Sequence, residues 1–503
     1  MKKSLLKSAG IVSLSIFGSR ILGLVRDIVI ASLFGAGSLT DTFFVAFRIP
    51  NLLRRIFAEG AFSSAFVPAF SKKLNFSVEE AKLFAGQFFS ILLTSLTLTL
   101  IFGEIFSPLI VKLIAPGFVG ERLVYAVRLL REMFPYIFLV SLVAFYGGIL
   151  NSLEHFFAPA FSTALFNLSL IIFGITLGRS LSVESLAIGV VFGGALQVLL
   201  QVYFLRKKDF FVKPIFSTQI SEDVRRTLKN TIPGIFSFAV RQVSMLIDTV
   251  IASFLKAGAI SYLYYANRFV QLPLGMFAIG LSQVLLPRLS KRSGGEFREE
   301  LKTGILLCSA VIVPSAVGLM FLGKAIVDLV YNHGAFNDEN LNGTYYVLLG
   351  YSSGLFFFSL EKIITNAYYS LEEFKLPVKV AGYTLTFNLI VDLFFCFVLK
   401  LGAPGLALGT SLTSLLNVLT LIYFFRKLFK IDLYRTVFRS GLRYLLLSIP
   451  VGIAAFLGNS IYFLQNSLIL KVSVLFLTVV SAAAVYFLTL FIMKDEIVKV
   501  LEE

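Results

Sequence analysis

The sequence is poor in the residues from which protein chemistry is usually built. Two of its 503 residues are cysteine and two are histidine. Cys308 and Cys396 both fall in apolar segments, so there is no disulfide framework and both read as small buried hydrophobes. His333 stands in a polar loop without a second histidine at ligand spacing, which excludes a histidine-built metal centre there. Charge is scarce, at 15% of residues, and acids are scarcer than bases, 29 against 45, which leaves a formal charge of +16. Long polar stretches are missing as well. Whole segments such as "FFSILLTSLTLTLIF" and "VLFLTVVSAAAVYFLTLFIM" are apolar all round, where a soluble protein of this length needs polar helix faces. The same unbroken runs exclude a barrel, whose strands alternate.

What is present is hydrophobic: 57% of the chain, with a mean hydropathy of +0.86. A window of about 20 apolar residues predicts an all-α polytopic membrane protein with about fourteen transmembrane helices between residues 8 and 493. The start, "MKKSLLKSAGIVSLSIF", has the basic and apolar parts of a signal peptide. Its apolar stretch continues past Arg20 without a small-residue cleavage site, so it reads as an uncleaved first span. The basic residues gather between spans: Lys2, Lys3 and Lys7; Lys72, Lys73 and Lys82; Arg206, Lys207 and Lys208; Arg288, Lys291 and Arg292; Arg426, Lys427 and Lys430. Alternate loops carry few. That is the pattern of cytoplasmic loops, with both termini inside, and it points to membrane lipids rather than nucleic acid as partners.

The chain repeats itself. "DIVIASLFGAG" from Asp27 returns as "DTVIASFLKAG" from Asp248, 221 residues on, and Arg20 returns as Arg241 at the same distance. "VPAFSK" from Val67 matches "LPRLSK" from Leu286, "SLEHFFAP" from Ser152 matches "SLEEFKLP" from Ser370, and "LAIG" from Leu186 matches "LALG" from Leu406. "FLRK" and "FFRK", ending at Lys207 and Lys427, close the series. Matches in one order at nearly one offset argue for duplication. The expected organisation is a six-helix lobe over 1–215, a second over 216–430, and an additional helix pair over 431–503. Six spans per unit make the repeat parallel, and transporters of that kind bind substrate between their halves near the midplane.

Several spans nevertheless hold charge. "GSRILGLVRDIVIAS", residues 18 to 32, carries Arg20, Arg26 and Asp27. Arg20 and Asp27 are seven apart and share a helix face, with Arg26 to one side. The second span carries Asp41, Arg48, Arg54, Arg55 and Glu59, with Pro50 loosening the helix. The second half repeats the theme with Arg241, Asp248 and Arg268. A charge at a membrane helix centre costs roughly 2.5 to 3.5 kcal/mol. Such groups are either internal salt bridges that hold helices in register or the lining of a water-filled cavity. The surplus of arginine in the first two spans calls for an anion, and the guanidinium fork suits a phosphate or carboxylate.

Energy coupling leaves a weaker trace. "GLMFLGKA", residues 318 to 325, has Ala325 where a phosphate-binding loop needs Ser or Thr, and it lies inside an apolar span. Asp248 and Asp392 are acids buried in apolar spans, which must be protonated, paired or bound to a cation. Arg241, seven residues before Asp248, is one partner. The alternative is a hard cation held by oxygens of Asp248, Asn388 and Asp392, with a hydroxyl from Thr410.

At "GSRILGLVRD", "TDTFFVAFRIPNLLRRIFAEGAFSSAFVPAF" and "NRFVQLPLGMFAIGLSQVLLPRLS" the chain resembles the MurJ (MviN) lipid II flippases of the multidrug/oligosaccharidyl-lipid/polysaccharide exporter superfamily. The resemblance extends over essentially the whole chain. It implies a bacterial inner-membrane protein that moves lipid II, the undecaprenyl-diphosphate-linked disaccharide-pentapeptide, to the periplasmic leaflet by alternating access. The residues themselves form no catalytic constellation, and the alternative from another class is a membrane-embedded lipid-processing enzyme using the acids of the cavity. By matching position the resemblance places substrate-binding arginines at Arg20, Arg26, Arg54 and Arg268 and motif acids at Asp27, Asp41 and Glu59; the charge pattern of the second span itself adds Arg48 to the substrate-binding set. Asn267 stands where many members have Asp. The resemblance also implies a sodium site at Asp248, Asn388 and Asp392, with Thr410, and a groove for the polyprenyl tail in the segment after 430. A drug/cation antiporter of the same superfamily should instead have an acidic or aromatic cavity.

Overall fold

The computed structural model describes residues 2–58, 61–217 and 219–497, without the side chains of 2–14, 16, 55–58, 61–64, 230, 232–241, 243 and 244. All its regular elements are helices. They fall into two compact units, Met1–Gly258 and Ala259–Glu503. The first holds α1 (Lys2–Phe34), α2 (Ser38–Ala58), α3 (Ala61–Leu74), α4 (Val78–Ile114), α5 (Glu121–Met133), α6 (Pro135–Ser152), α7 (Phe157–Leu181), α8 (Glu184–Lys207) and α9 (Glu222–Ser253). The second holds α10 (Ala259–Pro273), α11 (Ile279–Leu289), α12 (Gly294–Tyr331), α13 (Asp338–Ser370), α14 (Lys375–Leu393), α15 (Ala403–Phe429), α16 (Tyr434–Leu447), α17 (Ile449–Phe463) and α18 (Leu468–Ile492). Single π-helical turns, Leu274–Ala278 and Phe394–Val398, follow α10 and α14.

Among the described residues ten helices or continuous helix pairs are long and apolar enough to cross a membrane, and eleven if α16 and α17, bent by 44°, form one span. The protein is a polytopic helical membrane protein. That number covers the described residues only, and α1, α2, α3 and α9, where the sequence places its first, second and seventh spans, each hold side chains outside them. Helix α2 runs unbroken through Pro50, against the loosening expected there. "GLMFLGKA" is continuous helix within α12, so its backbone amides are committed to the helix and cannot cradle phosphate.

Local chemistry accounts for the helix ends. Ser77 caps α4 by accepting from the amides of Glu79 and Glu80, and Asn337 caps α13 through the amide of Asn340. The duplicated "SLE" motifs end α6 and α13 in the same turn. Glu154 and Glu372 both take left-handed backbone, φ 57° and 59°. The next amide, of His155 or Glu373, reaches back to the carbonyl of Leu150 or Tyr368 at 2.8 and 3.0 Å. The repeat is therefore visible in backbone geometry as well as in sequence.

Packing follows membrane rules. In the first unit Phe66 and Phe70 of α3, Phe84, Phe88 and Phe89 of α4, and Phe145 and Tyr146 of α6 form a buried aromatic core, with Phe89 stacked on Phe145 at 4.8 Å. In the second, Gly350 and Gly354 of α13 let α15 approach closely through Ala407 and Ser411, and the Ser411 hydroxyl donates to the Gly350 carbonyl at 2.7 Å. Large apolar side chains face outward, among them Phe102, Ile105 and Leu109 of α4 and Phe476, Phe487 and Phe491 of α18. Such a surface fits lipid rather than water.

Candidate functional site

The charged stretch of α1 resolves into two kinds of arginine. Arg26 and Asp27 are buried, 8% and 0% exposed, and paired: Nε and Nη2 of Arg26 donate to Asp27 Oδ1 at 3.0 and 2.7 Å. The remaining side of the fork, Nη1, donates to Asn167 Oδ1 on α7 at 3.0 Å, and Asn167 Nδ2 in turn donates to the Ser19 carbonyl of α1 at 3.1 Å. The shared face of Arg20 and Asp27 suggested by heptad spacing is thus not where Asp27 finds this partner; its immediate neighbour folds back onto it. Arg20 is exposed and makes no ion pair among the described residues.

Asp41 sits in the first turn of α2, fully buried. Its Oδ2 accepts from Arg122 Nη2 of α5 at 2.8 Å and from the Gly258 amide, beyond α9, also at 2.8 Å. The Arg122 guanidinium lies 3.8 Å from the Phe118 ring centre, and the Gly117 amide donates to Ser253 Oγ of α9 at 2.9 Å. Asp41 therefore ties together one end of α2, α5 and α9. Further along α2, Arg48 is half-buried, and its charge acts on Asp248 of α9. Arg54 Nε donates to Asn51 Oδ1 at 3.1 Å. Glu59 lies outside the described residues, as do the side chains of Arg55 and Arg241.

In the second unit, Arg268 of α10 is half-buried. Its Nη2 donates to the Tyr264 hydroxyl at 2.7 Å, one turn back, and its guanidinium lies 5.0 Å from that ring. Asn388 and Asp392 of α14 are both buried, and Asn388 Nδ2 donates to Asp392 Oδ2 at 2.8 Å. Gly409 of α15 makes room for Asp392, because a side chain there would run into Oδ1. Thr410 donates its hydroxyl to the Leu406 carbonyl at 2.9 Å, which leaves its oxygen lone pairs able to accept. A buried carboxylate, an amide and a hydroxyl are oxygen donors of the kind that hold a hard cation.

Sequence reasoning missed the neutral and distant partners: Asn167, Arg122 and Tyr264. Asn167 carried a usable signal, an amide in the apolar segment "FSTALFNLSLIIFG". Two acids of the second unit were missed altogether. Asp328 of α12 accepts from Tyr462 Oη of α17 at 2.8 Å and from Lys471 Nζ of α18 at 2.9 Å. Asp495 accepts from Tyr444 Oη of α16 at 2.9 Å and pairs with Arg443 at 2.6 Å. These bonds hold the last three helices in place.

The family model "Lipid II flippase MurJ" matches residues 30–482. The protein "Probable lipid II flippase MurJ" of Buchnera aphidicola subsp. Acyrthosiphon pisum (strain APS) is 39% identical over 427 residues, 83% of each chain. A solved structure described as lipid II flippase MurJ in an inward closed conformation has a TM-score of 0.80 at 29% identity, covering 97% of this chain and 99% of that one. An inward-facing multidrug resistance MATE family transporter of the MOP superfamily has a TM-score of 0.63 at 15% identity over 85% of this chain and 94% of its own, a likeness of fold alone.

Proposed function

The chain belongs to the lipid II flippase MurJ family, and from that premise we propose that it moves lipid II from the cytoplasmic to the periplasmic leaflet of the bacterial inner membrane by alternating access. The lipid crosses chemically unchanged. The observation that carries this reading is the contrast within α1: Arg26 is closed into a buried pair, while Arg20, six residues earlier, is exposed between the apolar runs "IVSLSIF" and "ILGLV". An exposed guanidinium along a membrane helix is costly unless an anion uses it. We assign Arg20, Arg54 and Arg268 to the diphosphate, with Arg54 and Arg268 oriented by the neutral acceptors Asn51 and Tyr264. By the sequence pattern and the resemblance, Arg26, Asp27, Asp41, Arg48 and Glu59 belong to the same arginine-rich cavity. Residues 1–215 and 216–430 are the two repeats, and 431–503 is the added segment that takes the polyprenyl tail. Both termini face the cytoplasm.

Asn388, Asp392 and Thr410, together with Asp248, have the donor types to hold a sodium ion. Bound there, the ion supplies positive charge to offset the carboxylates. It biases the conformational equilibrium to the extent that its affinity differs between states.

The test is leaflet-resolved tracking of lipid II with Arg20→Ala, Arg54→Ala and Arg268→Ala. Losing one charge-assisted hydrogen bond removes about 1.5 to 3 kcal/mol, so each variant should insert normally and flip at least tenfold more slowly. Lysine variants should recover part of the rate, because charge remains and the fork is lost. Wild-type flipping in all three refutes the assignment, and recovery of a chemically altered lipid would make the protein an enzyme.

A further inference from the structure

The second unit contains a basic cavity that the flippase reading leaves unused. It has a volume of about 390 Å³ and lies where the start of α12, the start of α16 and the segment after α18 meet. Five cations line it: Arg298 and Lys302 of α12, and Arg435, Arg439 and Arg443 of α16. Two of them are matched, Arg443 by Asp495 and Glu496 and Lys302 by Glu299. The third lining acid, Asp432, faces Arg426 outside the cavity at 3.9 Å. Among the described residues Arg298, Arg435 and Arg439 make no ion pair. The lining acids Glu299, Asp432 and Glu496 are thus engaged by other bases, and among the described residues the three guanidinium groups are left to take an anion from outside.

The form of α16 says where that anion comes from. Its arginines recur every fourth residue and so form one stripe. On one side of the stripe is the buried face, Val437, Ser440 and Tyr444, and on the other an exposed apolar face that includes Phe438 and Leu442, 73% and 47% exposed. A ligand in the cavity therefore lies between the protein and a lipid-facing surface, with its charge on the arginines and apolar side chains alongside. Basic pockets between membrane helices take lipid headgroups in this way.

We propose that this cavity binds the phosphodiester headgroup of an anionic glycerophospholipid, with Arg298, Arg435 and Arg439 on the phosphate and the acyl chains along Phe438 and Leu442. This site is separate from the arginines assigned to the transported lipid, and its test involves no transport.

The full chain is reconstituted in phosphatidylcholine nanodiscs containing a minor fraction of phosphatidylglycerol, and the lipid retained on release is identified by intact-complex mass spectrometry. Wild type should retain phosphatidylglycerol selectively. At about a fivefold effect per basic residue near an anionic surface, Arg298→Ala/Arg435→Ala/Arg439→Ala should weaken that retention roughly a hundredfold. The corresponding triple lysine variant should keep most of it. Removing three exposed bases of the first unit, Lys207, Arg225 and Arg226, should leave it unchanged. The three arginines are exposed and make no ion pair among the described residues, so the fold is not at stake, and Arg439→Gln alone, with its roughly fivefold effect, repeats the test in its mildest form. Equal retention by wild type and the triple alanine variant overturns the proposal. So does displacement of phosphatidylglycerol by millimolar inorganic phosphate, which would make the cavity a site for free phosphate.

Discussion

Replacing Asn167 by alanine should separate what holds Arg26 in the membrane from what holds α1 against α7. The Arg26–Asp27 pair lies within one helix, so it survives when the helices part and lowers the cost of inserting α1. Asn167 makes the bonds between helices, accepting from Arg26 Nη1 and donating to the Ser19 carbonyl. Hydrogen bonds between membrane helices average about 0.6 kcal/mol and reach about 1.7 kcal/mol, so losing two should cost about 1 to 3 kcal/mol. The chain has no tryptophan, but Cys308 and Cys396 are both buried, and a thiol-reactive dye will report their exposure as detergent-solubilised protein unfolds. A double-mutant cycle with Arg26→Ala isolates the pair, because the cost of leaving Asp27 without Arg26 appears in both arms and cancels. The coupling should be near 1 kcal/mol. A value below about 0.3 kcal/mol, the level at which independent sites add, refutes the role of Asn167. Asp27→Asn should behave differently: it strips the charge partner from Arg26, and its cost, up to roughly 3 kcal/mol, should appear as reduced insertion of α1.

Asp328→Ala removes the acceptor shared by Tyr462 and Lys471, and should destabilise the docking of α17 and α18 by about 2 to 3 kcal/mol. Hydrogen exchange should then speed up in 449–492 while α4 to α8 stay protected; uniform loss of protection would deny the local role. Sodium titration followed by a conformational probe should give a response in wild type that Asp392→Ala abolishes, and an identical response in both removes Asp392 from the site.

Some of this protein is settled before any helix meets another. In hydrocarbon every backbone amide needs an internal partner, so apolar runs of the length found here can only be helices. The duplication, too, is a property of the string of residues, and the turns at Glu154 and Glu372 repeat because the same short motif forms the same local hydrogen bonds. The positions of charge were equally legible: Arg20, Arg26, Asp27, Arg48, Arg54, Arg268 and Asp392 stand out against their apolar surroundings. What each charge touches was not. Periodicity places a side chain on a face of its own helix and is silent on which helix comes to lie opposite. Asp41 meets Arg122 from 81 residues away, and Asp328 meets Tyr462 from 134. Arg26, assigned to ligand by its charge, spends its fork on Asp27 and on a neutral amide of α7. The stripe of arginines on α16 is plain in "YRTVFRSGLRYLLL". That it faces Arg298 across a cavity rather than a row of acids was decided by the packing of α16 on α12, because in a membrane a charge is worth what its neighbours make it.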